Sequence, residues 1–354
     1  MTDPKILIDK LAGDQNLDRS QWLELLGNYR DDSVAAYLAA KAGALRDMHF
    51  GRRVFLRGLI EFTNFCKNDC LYCGLRRSNS GVDRYRLSRD QIIGRCRAGR
   101  ALGFRTFVLQ GGEDPADDDL ELVETVAAIR AEFPDCAITL SVGEKNRETY
   151  LRYFEAGADR FLLRHETATD SHYRRLHPPS MTLANRKRCL YELKDIGFQV
   201  GAGFMVGSPW QSEDNLVDDL LFLAELYPAM VGIGPFIPHP ETPLARYPAG
   251  DTALTVFILG LVRLILPKVL LPATTALGTL DFQAREKALE FGANVMMPNL
   301  SPLEVRKKYE IYTGKIHLDE EAAEGVRRLK NRLAELGYEA PDDRGDSPDY
   351  QPGS

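Results

Sequence analysis

The chain has 354 residues, of which 44% are hydrophobic and 27% are charged. This composition is typical of a globular protein with a full core, and the length allows either two ordinary domains or one large barrel. The net charge of -6 and the isoelectric point near 5.7 argue against nucleic acid as the main partner. The most apolar run, Leu254 to Leu271, is interrupted by Arg263, Pro267 and Lys268, so we expect no membrane span and a cytoplasmic protein.

Residues 1–48 are predicted to form an N-terminal helical extension. Between residues 49 and 315, short apolar runs typical of strands alternate with amphipathic helical stretches. The predicted strands are Val54–Phe62, Thr106–Gln110, Ala137–Val142, Arg160–Arg164, Gln199–Val206, Met230–Ile237, Leu271–Leu277 and Ala293–Met297. The predicted helices include Ser88–Leu102, Leu120–Glu132, Leu183–Ile196, Glu213–Leu226 and Phe282–Phe291. Gly103, Gly197 and Gly292 follow three of these helices as expected C-caps.

Eight alternations over about 250 residues predict an α/β fold of the TIM type, a (β/α)8 barrel. The competing architecture is a doubly wound sheet, which usually carries a phosphate-binding glycine motif after its first strand. Here the first strand leads into cysteines instead, which favours the barrel. We predict a C-terminal helical segment over residues 316–340. The tail at 341–354, rich in proline and aspartate, is predicted to be disordered.

Three cysteines, Cys66, Cys70 and Cys73, are spaced C-x3-C-x2-C directly after the first predicted strand. Three thiolates around a 4Fe–4S cluster leave one iron without a protein ligand and free to bind a reactant. A structural zinc site would need a fourth ligand close by. We expect no secretory signal peptide, so a disulfide framework is not expected either. The motif therefore predicts an iron–sulfur cluster. The other cysteines, Cys96, Cys136 and Cys189, are expected to be buried core thiols.

Polar residues follow the ends of the next strands, where barrel enzymes place their active sites. Gly111 and Gly112 precede Glu113; they either let a ligand approach the backbone or form an ordinary turn, and the pattern alone favours neither. Arg160, Arg164 and Glu166 alternate, so they should project the same way, either as an internal ion pair or toward a ligand. Further candidates are Thr139, Ser141, Thr274, Thr275, Met296, Tyr309 and Tyr312.

These motifs together resemble the radical S-adenosylmethionine (SAM) superfamily. The resemblance narrows to its biotin-synthase-like branch, and within it to the HydE family of FeFe-hydrogenase maturases. It covers residues 50–315 and rests on stretches such as Cys70–Arg77, Leu163–Thr167 and Val231–Pro240. The family carries one 4Fe–4S cluster, and in some members a second. No cysteine follows Cys189, so we do not expect a second cluster here.

The resemblance implies roles for individual residues. It makes Cys66, Cys70 and Cys73 the cluster ligands. The residues implied to bind SAM are Tyr72, Gln110, Gly111, Gly112, Glu113, Ser141, Arg164, Glu166 and Arg186. The residues implied to bind substrate are Thr139, Arg160, Thr274, Thr275, Met296, Tyr309 and Tyr312.

The resemblance also implies the reaction. Reductive cleavage of SAM yields a 5′-deoxyadenosyl radical, which would act on a cysteine-bound Fe(CO)2CN precursor of the hydrogenase two-iron subcluster. Other hydrogenase maturases and an electron donor such as flavodoxin or ferredoxin are the implied partners. The enzyme alternatives are a mutase or a biotin-synthase-like enzyme acting on a small organic metabolite. The non-enzymatic alternative is an iron–sulfur carrier, which would need no SAM site.

Overall fold

The computed structural model describes residues 3–14, 17–115, 119–315 and 322–350. Short parallel strands alternate with helices along most of this length. The strands are β1 (Phe55–Leu56), β2 (Gly58–Thr63), β3 (Thr106–Gly111), β4 (Ala137–Ser141), β5 (Arg160–Leu162), β6 (Gln199–Ala202), β7 (Met205–Val206), β8 (Met230–Val231), β9 (Gly234–Pro235) and β10 (Val295–Met296).

The helices of the described ranges surround these strands and cover their outer faces. They are α1 (Pro4–Asp14), α2 (Arg19–Gly27), α3 (Asp32–Phe50), α4 (Arg89–Ala101), α5 (Asp119–Glu132), α6 (Arg147–Glu155), α7 (Asp170–Leu176), α8 (Leu183–Ile196), α9 (Glu213–Leu226), α10 (Thr252–Ile265), α11 (Thr275–Leu280), α12 (Phe282–Glu290), α13 (Leu303–Arg306) and α14 (Ala322–Glu335). No helix in these ranges combines the length and the apolar composition that crossing a bilayer requires.

The strands close into a barrel, which confirms the predicted fold class. β2, β3, β4, β5, β6 and β8 form one parallel sheet in that order. Isolated bridges continue the ring from Met230 to Leu270 and from Pro272 to Val295. β10 then pairs with β1, and a bridge joins Leu59 to Asn299, so the last strand returns to the first.

The predicted strand Leu271–Leu277 is wrong in its second half. Backbone pairing stops near Pro272, and Thr274 is the N-cap of α11, which begins at Thr275. Proline has no N–H for a sheet ladder, and threonine is a preferred N-cap residue, so both residues favour an early exit from the strand. The predicted C-cap glycines are confirmed: Gly103, Gly197 and Gly292 all have positive φ.

The N-terminal helices pack onto one side of the barrel and share its core. Leu38 of α3 lies against Gly260 of α10, where an added Cβ would come 2.9 Å from the leucine Cγ. Arg46 is buried, and its Nη1 donates to the Leu289 carbonyl at 2.5 Å. The helical character of the extension is therefore present, while its boundary at residue 48 stays a prediction, as do those at 315 and 340.

The tail expected to be disordered from residue 341 is packed against the amino-terminal end of the barrel as far as it is described. Asp346 accepts from Arg160 Nη2 at 2.6 Å and from Gln199 Nε2 at 2.7 Å. Arg344 pairs with Asp159 at 2.8 Å. The composition suggested a solvated segment, but its charges find buried partners of opposite sign. Residues 351–354 and 316–321 of the two C-terminal predictions lie outside the described residues.

Candidate active site

The three-cysteine loop follows β2 at the carboxyl end of the barrel. Backbone hydrogen bonds dock it on three separate segments: Lys67 N donates to Glu113 O at 2.7 Å, Leu71 N to Leu176 O at 2.9 Å and Gly74 N to Ile311 O at 3.0 Å. An added Cβ at Gly74 would lie 2.2 Å from the Glu310 carbonyl oxygen. The loop is therefore held in place before any ligand binds.

The thiols of Cys66, Cys70 and Cys73 lie close enough to influence one another. Burial, followed by the Cys66 thiol, raises the pKa of Cys73 to about 12. Burial, then Cys73 and Cys66, raises the pKa of Cys70 well above its ordinary value. All three are free thiols, and no disulfide joins them. In the described ranges no three His, Cys, Asp or Glu side chains converge on one metal ion.

The Gly111–Gly112–Glu113 turn lies directly beneath the cysteine loop. An added Cβ at Gly112 would lie 2.1 Å from Phe65 O and 2.8 Å from Cys66 Cβ. The lack of a side chain at Gly112 therefore makes room for the loop itself. The sequence pattern alone had favoured neither ligand approach nor an ordinary turn. Glu113 is buried, and its Oε1 accepts from the Glu144 backbone N–H at 2.9 Å.

Arg186 of α8 is buried at the end of β5, although an arginine on a helix is usually solvated. Its Nε donates to Glu144 Oε1 at 2.6 Å, and its Nη1 donates to the Arg164 carbonyl at 2.6 Å. Asn185 holds the other oxygen of Glu144 at 2.6 Å. This pairing fixes the guanidinium beside the strand end, and its Nη2 makes no hydrogen bond within the described residues.

Arg164 and Glu166 leave β5 toward the barrel interior. Glu166 has a φ of 65°, a left-handed conformation that is uncommon for a residue other than glycine. Arg164 Nη2 lies 3.0 Å from Glu166 Oε2. Within the described residues, Arg164 Nε and the hydroxyls of Thr139 and Thr274 are buried without a hydrogen bond. Buried donors without partners are costly, so these groups are candidates for contact with a bound polar group.

Gly232, which follows β8, and Gly234, the first residue of β9, leave space around Arg164 and Thr274. An added Cβ at Gly232 would lie 4.0 Å from Arg164 Cδ, and one at Gly234 would lie 3.2 Å from Thr274 Oγ1. Larger side chains there would fill the room around both groups. Arg164 and Thr274 therefore approach the same strand from opposite sides.

A second polar group lies across the barrel from β5. Glu61 of β2 is buried and forms an ion pair with Lys315, while Asn299 Nδ2 donates to its Oε2 at 2.8 Å. Burial, then Glu61, raises the pKa of Tyr309 well above its ordinary value. Burial raises the pKa of Tyr312 to about 12, so both phenols stay protonated as donors near neutral pH.

A cavity of about 280 Å³ lies beside this second group. Thr275, Met296, Asn299 and Lys315 contribute to its wall, but more than half of its lining residues belong to α12 and α14 of the outer layer. This volume is close to the lower end of ordinary small-molecule sites. Two of the predicted substrate residues, Thr275 and Met296, therefore face one cavity.

Comparisons with known proteins agree on the superfamily of this chain. Residues 60–223 match the model of the Radical SAM superfamily. The [FeFe] hydrogenase maturase subunit HydE of Thermotoga maritima is 48% identical over 275 residues, which is 78% of each chain. The chain belongs to the radical SAM superfamily.

Two further relatives are similar over most of their length. The 3-methylornithine synthase of Methanosarcina acetivorans is 31% identical over 308 residues, 86% of this chain and 84% of that one. A crystal structure of methylornithine synthase (PylB) superposes with a TM-score of 0.82 at 26% identity, covering 94% of this chain and 97% of that one. The protein is a HydE-like radical SAM enzyme.

The radical SAM family implies a 4Fe–4S cluster and SAM, and the residues present fit both. Three mutually close thiols on a preformed loop suit a cluster with one open iron. Beside them, the buried Glu113 carboxylate and the Arg186 Nη2 suit the amine and the carboxylate of an amino acid. Gln110 and Ser141 are register partners on β3 and β4, so they share the same level of the sheet. Tyr72 bonds His177 at 3.2 Å within the cysteine loop region.

The structure places Arg160 away from the carboxyl ends of the strands. Arg160 was expected at the barrel mouth, but it is the first residue of β5 and points to the amino-terminal end. Its Nη1 donates to Thr106 Oγ1 at 3.1 Å, and its Nη2 binds the tail at Asp346. Alternation along a strand specifies which face a side chain takes, not its height in the barrel.

Three residues at the site were absent from the sequence-based selection: Glu61, Glu144 and Lys315. A signal for Glu61 existed, because a carboxylate within the apolar strand Leu59–Phe62 must be buried and paired. Glu144 follows its strand as Glu113 does. Lys315 had no local signal, since its partner lies 254 positions earlier in the chain.

Proposed function

We propose that the protein matures the two-iron subcluster of FeFe-hydrogenase, acting on a cysteine-bound Fe(CO)2CN precursor inside the barrel. The observation that carries the proposal is the pair of buried donors without a partner, Arg164 Nε and the Thr274 hydroxyl, beside Gly232 and Gly234 in a chain 48% identical to HydE. These groups are suited to an anionic ligand. The proposal treats the iron precursor as substrate, distinct from the cluster on the cysteine loop.

The cysteine loop and the strand ends around it would hold the resident cofactors. Cys66, Cys70 and Cys73 would ligate a 4Fe–4S cluster, and Glu113, Glu166 and Arg186 would bind the polar ends of SAM. Tyr72, Gln110, Gly111, Gly112 and Ser141 would line the same space. When bound and reduced, this pair supplies a 5′-deoxyadenosyl radical.

The chain's own residues orient the substrate below that position. A guanidinium pairs a carboxylate through parallel N–H donors, so Arg164 would hold the carboxylate of the substrate's cysteine, with Thr274 donating a further hydrogen bond. The resemblance implied that Arg164 contacts SAM; we propose instead that it binds the substrate, in place of Arg160, whose guanidinium is engaged by the tail. Thr139, Thr275, Met296, Tyr309 and Tyr312 would form the remaining wall.

The paired groups opposite Arg164 would keep water from the reacting atoms. Glu61 and Lys315 are almost fully buried, and Lys315 Nζ lies 5.2 Å from the centre of the Tyr309 ring. A radical intermediate needs a closed site, because water and oxygen open side reactions. Protonated phenols at Tyr309 and Tyr312 can donate to cyanide or carboxylate without offering a base.

The test is anaerobic turnover of the reduced protein with SAM and the iron precursor. We expect an adenosylated iron species detectable by electron paramagnetic resonance, and about tenfold weaker precursor binding in Arg164→Lys, which loses the planar fork. The matched control is Arg160→Lys, which should leave precursor binding unchanged. Turnover of SAM without any precursor-dependent product would contradict the proposal.

A second candidate is a radical mutase acting on an amino acid. The similarity to 3-methylornithine synthase, at 31% identity and with a PylB structure at a TM-score of 0.82, supports it. The same Arg164 and Thr274 could bind an amino-acid carboxylate. Incubation with lysine distinguishes the two, because a rearranged amino acid would replace the iron product.

Hydrogenase maturation also implies partners. Other maturases would supply the precursor or receive the product, and a flavodoxin or ferredoxin would supply electrons. Pull-down of the anaerobically purified protein with each purified partner checks this directly.

A further inference from the structure

Two exposed aromatic side chains lie in contact on the surface beside the cysteine loop. Trp210 is 44% exposed and Tyr247 is 36% exposed, and their ring centres are 5.2 Å apart. Within the described residues this is the only ring pair in which both rings are exposed. Arg175 places its guanidinium carbon 5.4 Å from the Trp210 ring centre. We call Trp210, Tyr247 and Arg175 the Trp210 patch.

The Trp210 patch is continuous with the loop that carries the thiols. Leu71, between Cys70 and Cys73, donates its N–H to the carbonyl of Leu176, the neighbour of Arg175. Leu71 and Tyr72 also pack against Leu176 and Leu244, and the Tyr247 N–H donates to Leu244 O at 3.1 Å. The patch is therefore joined through the buried Leu176 and Leu244 to the segment between two cluster ligands.

The backbone holds Trp210 outward at some cost. Its φ of 64° places a bulky residue in the left-handed region, which is uncommon outside glycine and asparagine. An aromatic residue exposed from a strained turn is poorly explained by folding, because it neither fills the core nor relaxes the turn. Exposed tryptophan, tyrosine and arginine are the residue types that dominate binding hot spots.

Two exposed arginines, Arg175 in the patch and Arg246 next to Tyr247, provide positive charge at this face, beside the exposed carboxylates of Glu213 and Glu241. Arg175 and Arg246 are exposed and form no ion pair in the described residues, whereas the chain as a whole carries -6. The nearby Asp170 is engaged by Arg174, and Glu241 is the exposed carboxylate of the loop that carries Arg246. Arg175 and Arg246, which have no ion-pair partner in the described residues, can each pair with a carboxylate of an acidic partner.

We infer that the Trp210 patch is the docking site of an acidic one-electron carrier protein that reduces the cluster. This inference rests on the proposed function, because only a cluster that transfers an electron to SAM must be reduced again. One electron passes from the reduced carrier to the oxidised cluster, so the carrier is oxidised by one unit and no bond changes.

Binding can be measured without turnover, because the chain has only two tryptophans. Trp22 is 3% exposed within α2, and Trp210 lies in the patch. In protein labelled with 5-fluorotryptophan, unlabelled flavodoxin or an acidic ferredoxin should shift or broaden the Trp210 fluorine resonance and leave the Trp22 resonance in place. If both carriers bind and neither moves the Trp210 signal, or if neither binds, the inference is wrong.

Charge reversal gives the second readout. The double variant Arg175→Glu, Arg246→Glu should raise the calorimetric Kd for the carrier about tenfold or more, and raise its half-saturating concentration for 5′-deoxyadenosine formation likewise. Arg327→Glu is the matched control, because Arg327 is exposed on α14 and forms no ion pair in the described residues. It should leave both values unchanged.

Dithionite separates this inference from the proposed function. With dithionite as reductant, the double variant should form 5′-deoxyadenosine at the wild-type rate, since a small reductant needs no docking surface. If the wild type forms none even with dithionite, the radical SAM activity fails. If dithionite works and the double variant binds and uses the carrier like wild type, only the docking site is wrong.

Discussion

Gly112 shows how closely the backbone turn and the cysteine loop are packed. A methyl group at this position would overlap the Phe65 carbonyl, which is backbone and cannot rotate away. Gly112→Ala should therefore displace the loop and lower the iron bound per chain after anaerobic reconstitution to less than about half of wild type, as overpacking forces backbone shifts. Iron and sulfide analysis measures this.

Gly94 offers the matched control for that change. It lies inside α4, and an added Cβ there would meet nothing within 4 Å. Gly94→Ala should keep full iron content and raise the free energy of unfolding by about 0.5–1 kcal/mol, because alanine favours the helix. Normal iron loading in Gly112→Ala would contradict the packing argument.

Individual residues also mark what the sequence could and could not predict. The proximity of Cys66, Cys70 and Cys73 could be predicted because they are close together in the sequence. Arg160 and Arg164 were not separable, because both lie on the same alternating face and the tail that binds Arg160 is distant in sequence. Lys315 could not be predicted either, because its partner Glu61 is also distant in the sequence.

At the scale of elements, α9 is tied to the turn that carries Glu166. Asp219 of α9 is fully buried, and its Oδ1 accepts from the Ala168 N–H two residues after Glu166. Burial raises the pKa of Asp219 well above its ordinary value, so the protonated carboxyl is favoured. The helix thereby helps to hold the left-handed turn.

This arrangement predicts different results for two substitutions at Asp219. Asparagine mimics the protonated carboxyl, so Asp219→Asn should change the free energy of unfolding by less than about 0.5 kcal/mol. Asp219→Leu leaves the buried Ala168 N–H unpaired and should cost about 1–3 kcal/mol. Urea titration followed by circular dichroism measures both, and equal losses in the two variants would show that the hydrogen bond is unimportant.

Elements with strong periodicity were predictable, and short ones were not. Leu183–Ile196 and Glu213–Leu226 match their predicted bounds because long amphipathic helices carry many concordant signals. The prediction of a strand over Leu271–Leu277 failed in its second half, because this part of the barrel makes only isolated bridges, at Leu270 and Pro272. Its apolar residues are typical of a strand, but the N-cap at Thr274 ends the extended backbone.

At the scale of the whole molecule, the tail seals the amino-terminal end of the barrel through charge. Burial raises the pKa of Asp346, but Arg160 and the hydrogen bonds from Arg344 and Gln199 outweigh it and hold the pKa at about 2. The folded value lies below the unfolded one, near 3.9. The ion pair therefore contributes fully above about pH 4 and is lost as the pH falls toward 2.

Asp346→Asn tests this contribution. It should lower the free energy of unfolding by up to about 2 kcal/mol at pH 7, reduced by the partial exposure of the carboxylate, and the difference from wild type should narrow between pH 4 and pH 2. Asp349→Asn is the control, since Asp349 pairs with Lys268 on the exposed surface. A difference that stays constant with pH would exclude a role for the charge.

Composition misled the prediction for the tail, because it averages over residues and cannot see a single buried partner. The barrel itself was predictable, since eight alternations leave few other architectures. We propose that the cysteine loop supports the reductive cleavage of SAM.

That claim is tested most directly by measuring 5′-deoxyadenosine after anaerobic reconstitution, dithionite reduction and addition of SAM. Wild type should form it, and Cys70→Ala should form none while keeping its circular dichroism spectrum, because the thiol lies on a loop outside the strands. No product from the reconstituted wild type, or equal product from Cys70→Ala, would contradict the account.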